Sequence, residues 1–358
     1  MIKVLVVDDS AVLREFLVYL LESDPALQVV GTASNGEEAI QAVIEKQPDI
    51  ITMDINMPKL NGFEATRRIM ETAPRPRVIV TGSWNPREVA TSFQAIEAGA
   101  LAVVPRPPGI GHPDHAAGVR ELIETVKLMA EVKVVRRWAR SPRESATPSA
   151  PSSATADRGN QVRPIKLVAV GASTGGPLAL QALLAGLPGR FSVPIVIVQH
   201  MAAGFIMGFV EWLARATGRS VHVATDGELL LPGHVYVAPD GFQMGVKMGG
   251  KVVLTRDSAE NMLHPSVSHL FRSVAEVYGA QAVGVLLTGM GKDGAEELKL
   301  MRDKGAVTFA QDKESAVIHG MPGAAIQLSA AMHVLSPERI AAALGDLVNH
   351  EIPRVSDR

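Results

Sequence analysis

The 358-residue chain has no cysteine. That absence excludes disulfides, thiolate metal sites and a cysteine nucleophile, so any covalent chemistry must run on oxygen or nitrogen. It also fits a reducing compartment. No apolar stretch reaches the length of a membrane span, and the short apolar start Met1–Val7 runs straight into acids instead of forming the core of a signal sequence. A soluble, cytoplasmic protein with no membrane insertion is expected. Charge imbalance is missing too, since 35 Lys and Arg stand against 37 Asp and Glu. The one basic run, Lys133, Arg136, Arg137 and Arg140, falls at the end of a predicted helix, where it complements the helix dipole. Nucleic acid is therefore not an expected partner. What the chain does have is apolar mass: 47% hydrophobic residues over this length suit two domains, each with its own core.

The first 125 residues alternate short apolar runs with helical periodicity. Val4–Val7 ends in Asp8, Asp9 and the N-cap candidate Ser10. Ile50–Met53 ends in Asp54, Val78–Val80 in Thr81, and Ala102–Val104 in Pro105 and Arg106. Another strand is centred on Val29, and Asn35 with Glu38 reads as a capping-box start to the helix that follows. A further helix is predicted over Val89–Ala98. Five such alternations predict a doubly wound parallel sheet, in which ligands gather at the carboxyl ends of the strands. Asp8, Asp9, Asp54, Thr81 and Arg106 should meet there. Three carboxylates in one pocket repel unless a hard dication sits among them, and oxygen ligands point to Mg2+. A carboxylate so placed can attack a phosphoryl group, with Arg106 pairing the product and Thr81 hydrogen-bonding it. A long helix from Ala116 to about Trp138 should close this unit. The Ser-, Pro- and Ala-rich stretch from Ser141 to Ser153 then reads as a flexible linker, within a connecting segment 126–164.

The second unit, 165–350, repeats the alternation with different chemistry. The run Leu167–Ala172 stops at Ser173 among glycines, with Pro177 suited to the first turn of a helix, and Gly171–Gly175 matches G-x-S-x-G. A hydroxyl on such a turn faces the unpaired N–H groups of the following helix, which suit an oxyanion. Ile195–Val198 ends in Gln199, His200 and Met201. Val283–Leu287 ends in a glycine-rich loop that delivers Asp293. Between them, Leu229–Lys251 reads as a β-hairpin insertion. Serine, histidine and aspartate at three strand ends of one sheet suit acyl transfer. Each alone would equally serve as a cap or a satisfied core residue, and Asp312, after Val307–Ala310, rivals Asp293 on spacing. The order Ser, His, Asp also departs from the ordinary α/β-hydrolase order.

Residues 1 to about 125 resemble the receiver domain of two-component response regulators, a flavodoxin-like fold, through the paired acids, Asp54, Met57-Pro58, Asn61-Gly62, Thr81 and Arg106-Pro107. The resemblance implies Asp54 as phosphoacceptor for a histidine kinase, and Mg2+ bound by Asp9, Asp54 and the Asn56 carbonyl with Asp8 assisting. Arg106 stands where that family usually has lysine. The second unit resembles the catalytic domain of the chemotaxis methylesterases, through Gly171–Gly176, Gln199-His200-Met201, Pro265-Ser266-Val267, Thr288–Gly291, Asp293-Gly294, Ala310-Gln311-Asp312 and Gly320-Met321-Pro322. That likeness implies hydrolysis of glutamate methyl esters and deamidation of glutamine on methyl-accepting chemoreceptors. By residue, it implies Ser173 as nucleophile, His200 as general base and Asp293 as its orienter, with the Met290 N–H at the oxyanion and Thr174 lining the site. No cofactor is implied for ester hydrolysis. Phe242-Gln243 and Leu263-His264 depart from the family's usual His-containing steps near the active face.

Overall fold

The computed structural model describes residues 1–72, 77–82, 93, 95–131, 164–256 and 263–349. Half of the helix predicted over Val89–Ala98 lies outside these residues, as do the basic run and the Ser/Pro/Ala-rich linker; Phe93 and Ala95–Glu97 of that helix are helical. Among the described residues, no helix is long and apolar enough to cross a membrane.

The N-terminal unit holds five parallel strands, β1 (Ile2–Val7), β2 (Leu27–Ala33), β3 (Ile50–Met53), β4 (Arg77–Gly82) and β5 (Ala102–Pro105), in the order β2-β1-β3-β4-β5. Strand periodicity explains why the central runs are apolar throughout. Leu5 and Val7 enter the core on one face, and Val4 and Val6 enter that on the other. Helices α1 (Ala11–Glu22), α2 (Gly36–Lys46) and α3 (Gly62–Thr72) follow the first three strands. The Ser10 hydroxyl accepts from the Leu13 N–H as N-cap of α1, and Asn35 accepts from the N–H groups of Glu37 and Glu38 while Glu38 reaches back to its amide. Helix α4 (His115–Glu131) closes the unit by burying Leu122, Val126 and Met129.

The C-terminal unit is a seven-stranded parallel sheet. Its strands are β6 (Leu167–Ala172), β7 (Ile195–Gln199), β8 (Ser220–Val223), β9 (His234–Val237), β12 (Ala282–Leu286), β13 (Val307–Gln311) and β14 (His333–Leu335). They lie in the order β14-β13-β12-β6-β7-β9-β8. Helices α5 (Gly176–Gly186), α6 (Ile206–Thr217) and α10 (Pro337–Asn349) supply Leu183, Phe209 and Leu344 to the core on one face. Helices α7 (Val267–Val277) and α8 (Ala295–Asp303) supply Phe271 and Leu298 to that on the other. A short helix α9 (Met321–Gln327) also lies on the second face.

The segment Leu229–Lys251 differs in part from its hairpin reading. Val235–Val237 belongs to β9 of the main sheet, because Val235 and Val237 enter one core while Tyr236 enters the other. The hairpin is confined to β10 (Gln243–Lys247) and β11 (Lys251–Thr255), paired antiparallel.

The two units touch. Phe93 lies against Phe209 and Trp212 with ring centroids 5.6 and 5.8 Å apart, and the Trp212 indole N–H donates to Glu97 at 2.9 Å. Val317 and Ile318 of the C-terminal unit pack against the core that α4 completes.

Candidate active site

In the N-terminal sheet the chain reverses direction between β1 and β3, and the crevice at such a reversal is where side chains from two strand ends can share a ligand. Asp8 and Asp9 follow β1, and Asp54 follows β3. Oxygen atoms of the three carboxylates lie within 4.8 Å of one another. Asp8 is fully buried and Asp54 nearly so, whereas Asp9 is exposed. Burial pushes the carboxyls of Asp8 and Asp54 up; the Arg106 guanidinium opposes it, bonded to Asp54 and 3.4 Å from Asp8. Asp8 Oδ2 is buried and makes no hydrogen bond; the Arg106 guanidinium, 3.4 Å away, is the cation that faces it here. This donor set of hard oxygens fits Mg2+. Asn56 is exposed in the loop after Asp54, and Thr81 is buried at the end of β4 with its hydroxyl 3.5 Å from the Met53 carbonyl.

The C-terminal sheet reverses in the same way at β6. The chain goes to β7, then to the edge strand β8 and back to β9 between them, and returns to β12 on the other side of β6. Ser173 follows β6, His200 follows β7 and Asp293 lies in the loop after β12. The backbone stitches these ends together. Ser173 N–H donates to the Thr288 carbonyl at 3.0 Å, and His200 N–H donates to Ala172 at 2.9 Å. His200 Nε2 lies 2.9 Å from Asp293 Oδ2.

Asp293 sits over the start of α7. It accepts from the Ser266 hydroxyl at 3.1 Å and from the N–H groups of Val267 and Ser268 at 2.7 and 3.0 Å. Burial works to raise this carboxyl, but His200, Ser268 and the Val267 N–H outweigh it and hold the group at about 2. It is a fixed anion. Asp312 is engaged elsewhere, capping its own loop through the N–H and hydroxyl of Ser315 at 3.0 and 2.5 Å. The shell of Ser266 and Ser268 has no role in the sequence reading, although Pro265-Ser266-Val267 stands out there as a motif.

Thr174 and Met290 flank Ser173. The Thr174 carbonyl accepts from the Thr288 hydroxyl at 3.0 Å, and Met290 is about half exposed at the rim. Their N–H groups donate to no protein acceptor among the described residues. Ser173 and His200 line a cavity of about 120 Å³ together with Ile96, Val103, Glu121 and Thr125 of the N-terminal unit. A wider cleft joins Glu121 and Glu124 of α4 to Met290 and Asp293. Burial, then the neighbouring Glu124 charge, raises the Glu121 carboxyl.

Comparison with known proteins follows the same division. Residues 4–111 match the response regulator receiver domain and residues 168–344 match the CheB methylesterase domain. A relative from Nitrosospira multiformis named protein-glutamate methylesterase/protein-glutamine glutaminase is 62% identical over 348 residues, covering 97% of each chain. One from Syntrophus aciditrophicus, named protein-glutamate methylesterase/protein-glutamine glutaminase 1, is 54% identical and covers 99% of this chain and 100% of its own. The crystal structure of the Thermotoga maritima CheB methylesterase catalytic domain is 38% identical, with a TM-score of 0.50, over 51% of this chain and 99% of that one. With its parallel sheets and both matched domains, the chain belongs to the protein-glutamate methylesterase/protein-glutamine glutaminase family of response regulators.

Proposed function

We propose that this protein is a cytoplasmic, phosphorylation-activated hydrolase that removes methyl groups from glutamate methyl esters, and deamidates glutamine, on methyl-accepting chemoreceptors. In this reading residues 1–125 form the receiver, 126–164 the connection and 165–350 the catalytic domain. The observation that carries the catalytic half is the His200–Asp293 contact at 2.9 Å beside Ser173, with Asp293 held ionised.

With Nε2 turned to Asp293, the other ring nitrogen is left to take the Ser173 proton. Ser173 Oγ attacks the ester carbonyl carbon, and the N–H groups of Met290 and Thr174 receive the negative oxygen. His200 then returns its proton to the departing methoxide, so methanol leaves and an acyl-enzyme remains. Water deprotonated by His200 attacks the acyl carbon, the Ser173 oxygen is reprotonated and glutamate is released. A glutamine side chain follows the same course with ammonia as leaving group. Asp293 remains an anion throughout, orienting the imidazole and stabilising its cationic form.

In the receiver, Asp54 accepts the phosphoryl group from a histidine kinase. Asp9, Asp54 and the Asn56 carbonyl would hold Mg2+, with Asp8 assisting, and the ion supplies charge neutralisation for the transfer. Arg106 and Thr81 engage the phosphate. Support for control comes from the packing, since Glu121 and Thr125 border the cavity that holds Ser173 and His200. Phosphorylation that loosens this contact would open the site to a receptor segment. The test is methanol release from methylated receptor, expected in the wild type and absent in Ser173→Ala; release by Ser173→Ala refutes the assignment.

A further inference from the structure

β7 is apolar from Ile195 to Val198 and then ends in Gln199, whose side chain is only 2% exposed. A primary amide in such a place must find partners for two donors and an acceptor. Gln199 Nε2 lies 2.8 Å from the carbonyl of Ser173 and 2.8 Å from that of His200. One nitrogen thus ties the turn that carries Ser173 to the loop that carries His200. The Ser173 carbonyl takes a second donor, the Gly176 N–H at 2.8 Å, so the bridge extends to the first residue of α5.

The acceptor end has the opposite character. Gln199 Oε1 is buried with no hydrogen-bond partner. It lies against Gly176 so closely that a Cβ added there would be 2.0 Å away. Rotating the amide would set its oxygen against two carbonyls and leave both hydrogens without acceptors. The amide therefore has one workable orientation, and the fold leaves its oxygen unpaired while both donors are used. An apolar residue of similar length would avoid the unpaired oxygen but give up both donors, so what the glutamine adds is the tie between the two loops.

We infer that Gln199 is a positioning residue for the hydrolysis: its amide sets the spacing between the nucleophile turn and the base loop, and Gly176 is glycine to admit it. This rests on the reading of Ser173 and His200 as nucleophile and base. A displacement of about 1 Å between reacting groups costs on the order of a hundredfold in rate. Loss of the bridge should therefore appear in kcat and spare KM, because the Gln199 side chain is 2% exposed and its amide is spent on the Ser173 and His200 carbonyls.

The experiment uses the full chain and three variants, Gln199→Leu, Gln199→Glu and Gly176→Ala, with Ser173→Ala as control. Gln199→Leu removes both donors and the unpaired oxygen; Gln199→Glu keeps the shape without the NH2 group. Gly176→Ala leaves the amide intact chemically but pushes it off its seat. A fluorophosphonate counts reactive Ser173, and methanol release from methylated receptor is expressed per labelled site. The expected result is a fall of roughly ten- to a hundredfold in kcat per site, with KM within about twofold, in all three variants. A per-site kcat within twofold of wild type in Gln199→Leu, with only fewer labelled sites, makes the residue one of packing and overturns the inference. A wild-type chain with no Ser173-dependent labelling or release overturns the catalytic reading, and this one with it.

Discussion

Replacing Asp293 by asparagine should weaken the fold and the chemistry together, and pH separates the two effects. The folded carboxyl is held at about 2, against an ordinary value of 3.8. At roughly 1.4 kcal/mol per pH unit, that difference is worth about 2 kcal/mol of folding stability. Because the folded value is the lower one, this stabilisation is present in full above 3.8. It is lost as pH falls from 3.8 through about 2. Asparagine keeps the shape but presents one acceptor oxygen and an NH2 group to the Ser266 hydroxyl and the Val267 and Ser268 N–H groups, all donors. Urea unfolding at neutral pH should therefore find Asp293→Asn less stable by about 2 kcal/mol, with the deficit shrinking as pH approaches 2. If Asp293 orients His200 as proposed, turnover should fall by about 10^4, the loss a serine protease suffers when its orienting carboxylate is made an amide. Equal stabilities at neutral pH, or a deficit that persists unchanged in acid, would refute the claim that Asp293 is a stabilised anion.

Three further outcomes follow from the same contacts. Asp54→Asn should leave basal methanol release in place and abolish its rise with a small phosphodonor and Mg2+; a rise that persists removes Asp54 as acceptor. Glu97→Ala removes the acceptor of the Trp212 indole N–H, a hydrogen bond to a charged group worth about 1.5–3 kcal/mol between the units. Basal release without phosphodonor should increase several-fold, and an unchanged rate argues that this contact does not restrain the site. Gly289→Ala would set a Cβ 2.3 Å from Met321 Sδ and 2.7 Å from Ser173 Cβ. Fluorophosphonate labelling should slow while the thermal midpoint falls by an amount matching about 1–3 kcal/mol of overpacking; wild-type labelling would show that the loop yields without moving Ser173.

The strand ends were the legible part of this molecule. Runs such as Val4–Val7 and Leu167–Ala172 are apolar on both faces, and a buried parallel strand has no other reason to stop than the polar residue that begins its loop. Asp8, Asp54, Ser173 and His200 are such residues. Short edge strands carry no such signal. In β8, Ser220 and His222 interrupt the apolar pattern, and β14 has only three residues, two of them exposed. Tyr236 is misleading for a related reason: flanked by glycine-rich turns, β9 reads like the hairpin beside it. Distance in three dimensions was equally invisible. Asp293 and Asp312 both lie beyond a strand end, and what tells them apart is the His200 contact and the hydrogen bonds from Ser266–Ser268 on one side and those from Ser315 on the other. The Glu121 side of the cavity around Ser173 comes from a helix about fifty residues upstream in the chain, a placement for which no local pattern exists.

The most direct test of the account is methanol release from methylated chemoreceptor, measured with and without a small phosphodonor plus Mg2+, in the wild type and in Ser173→Ala. Release that rises with the phosphodonor and is absent in the variant is the predicted result. Release by Ser173→Ala, or none from a methylated receptor of the same pathway, would contradict it.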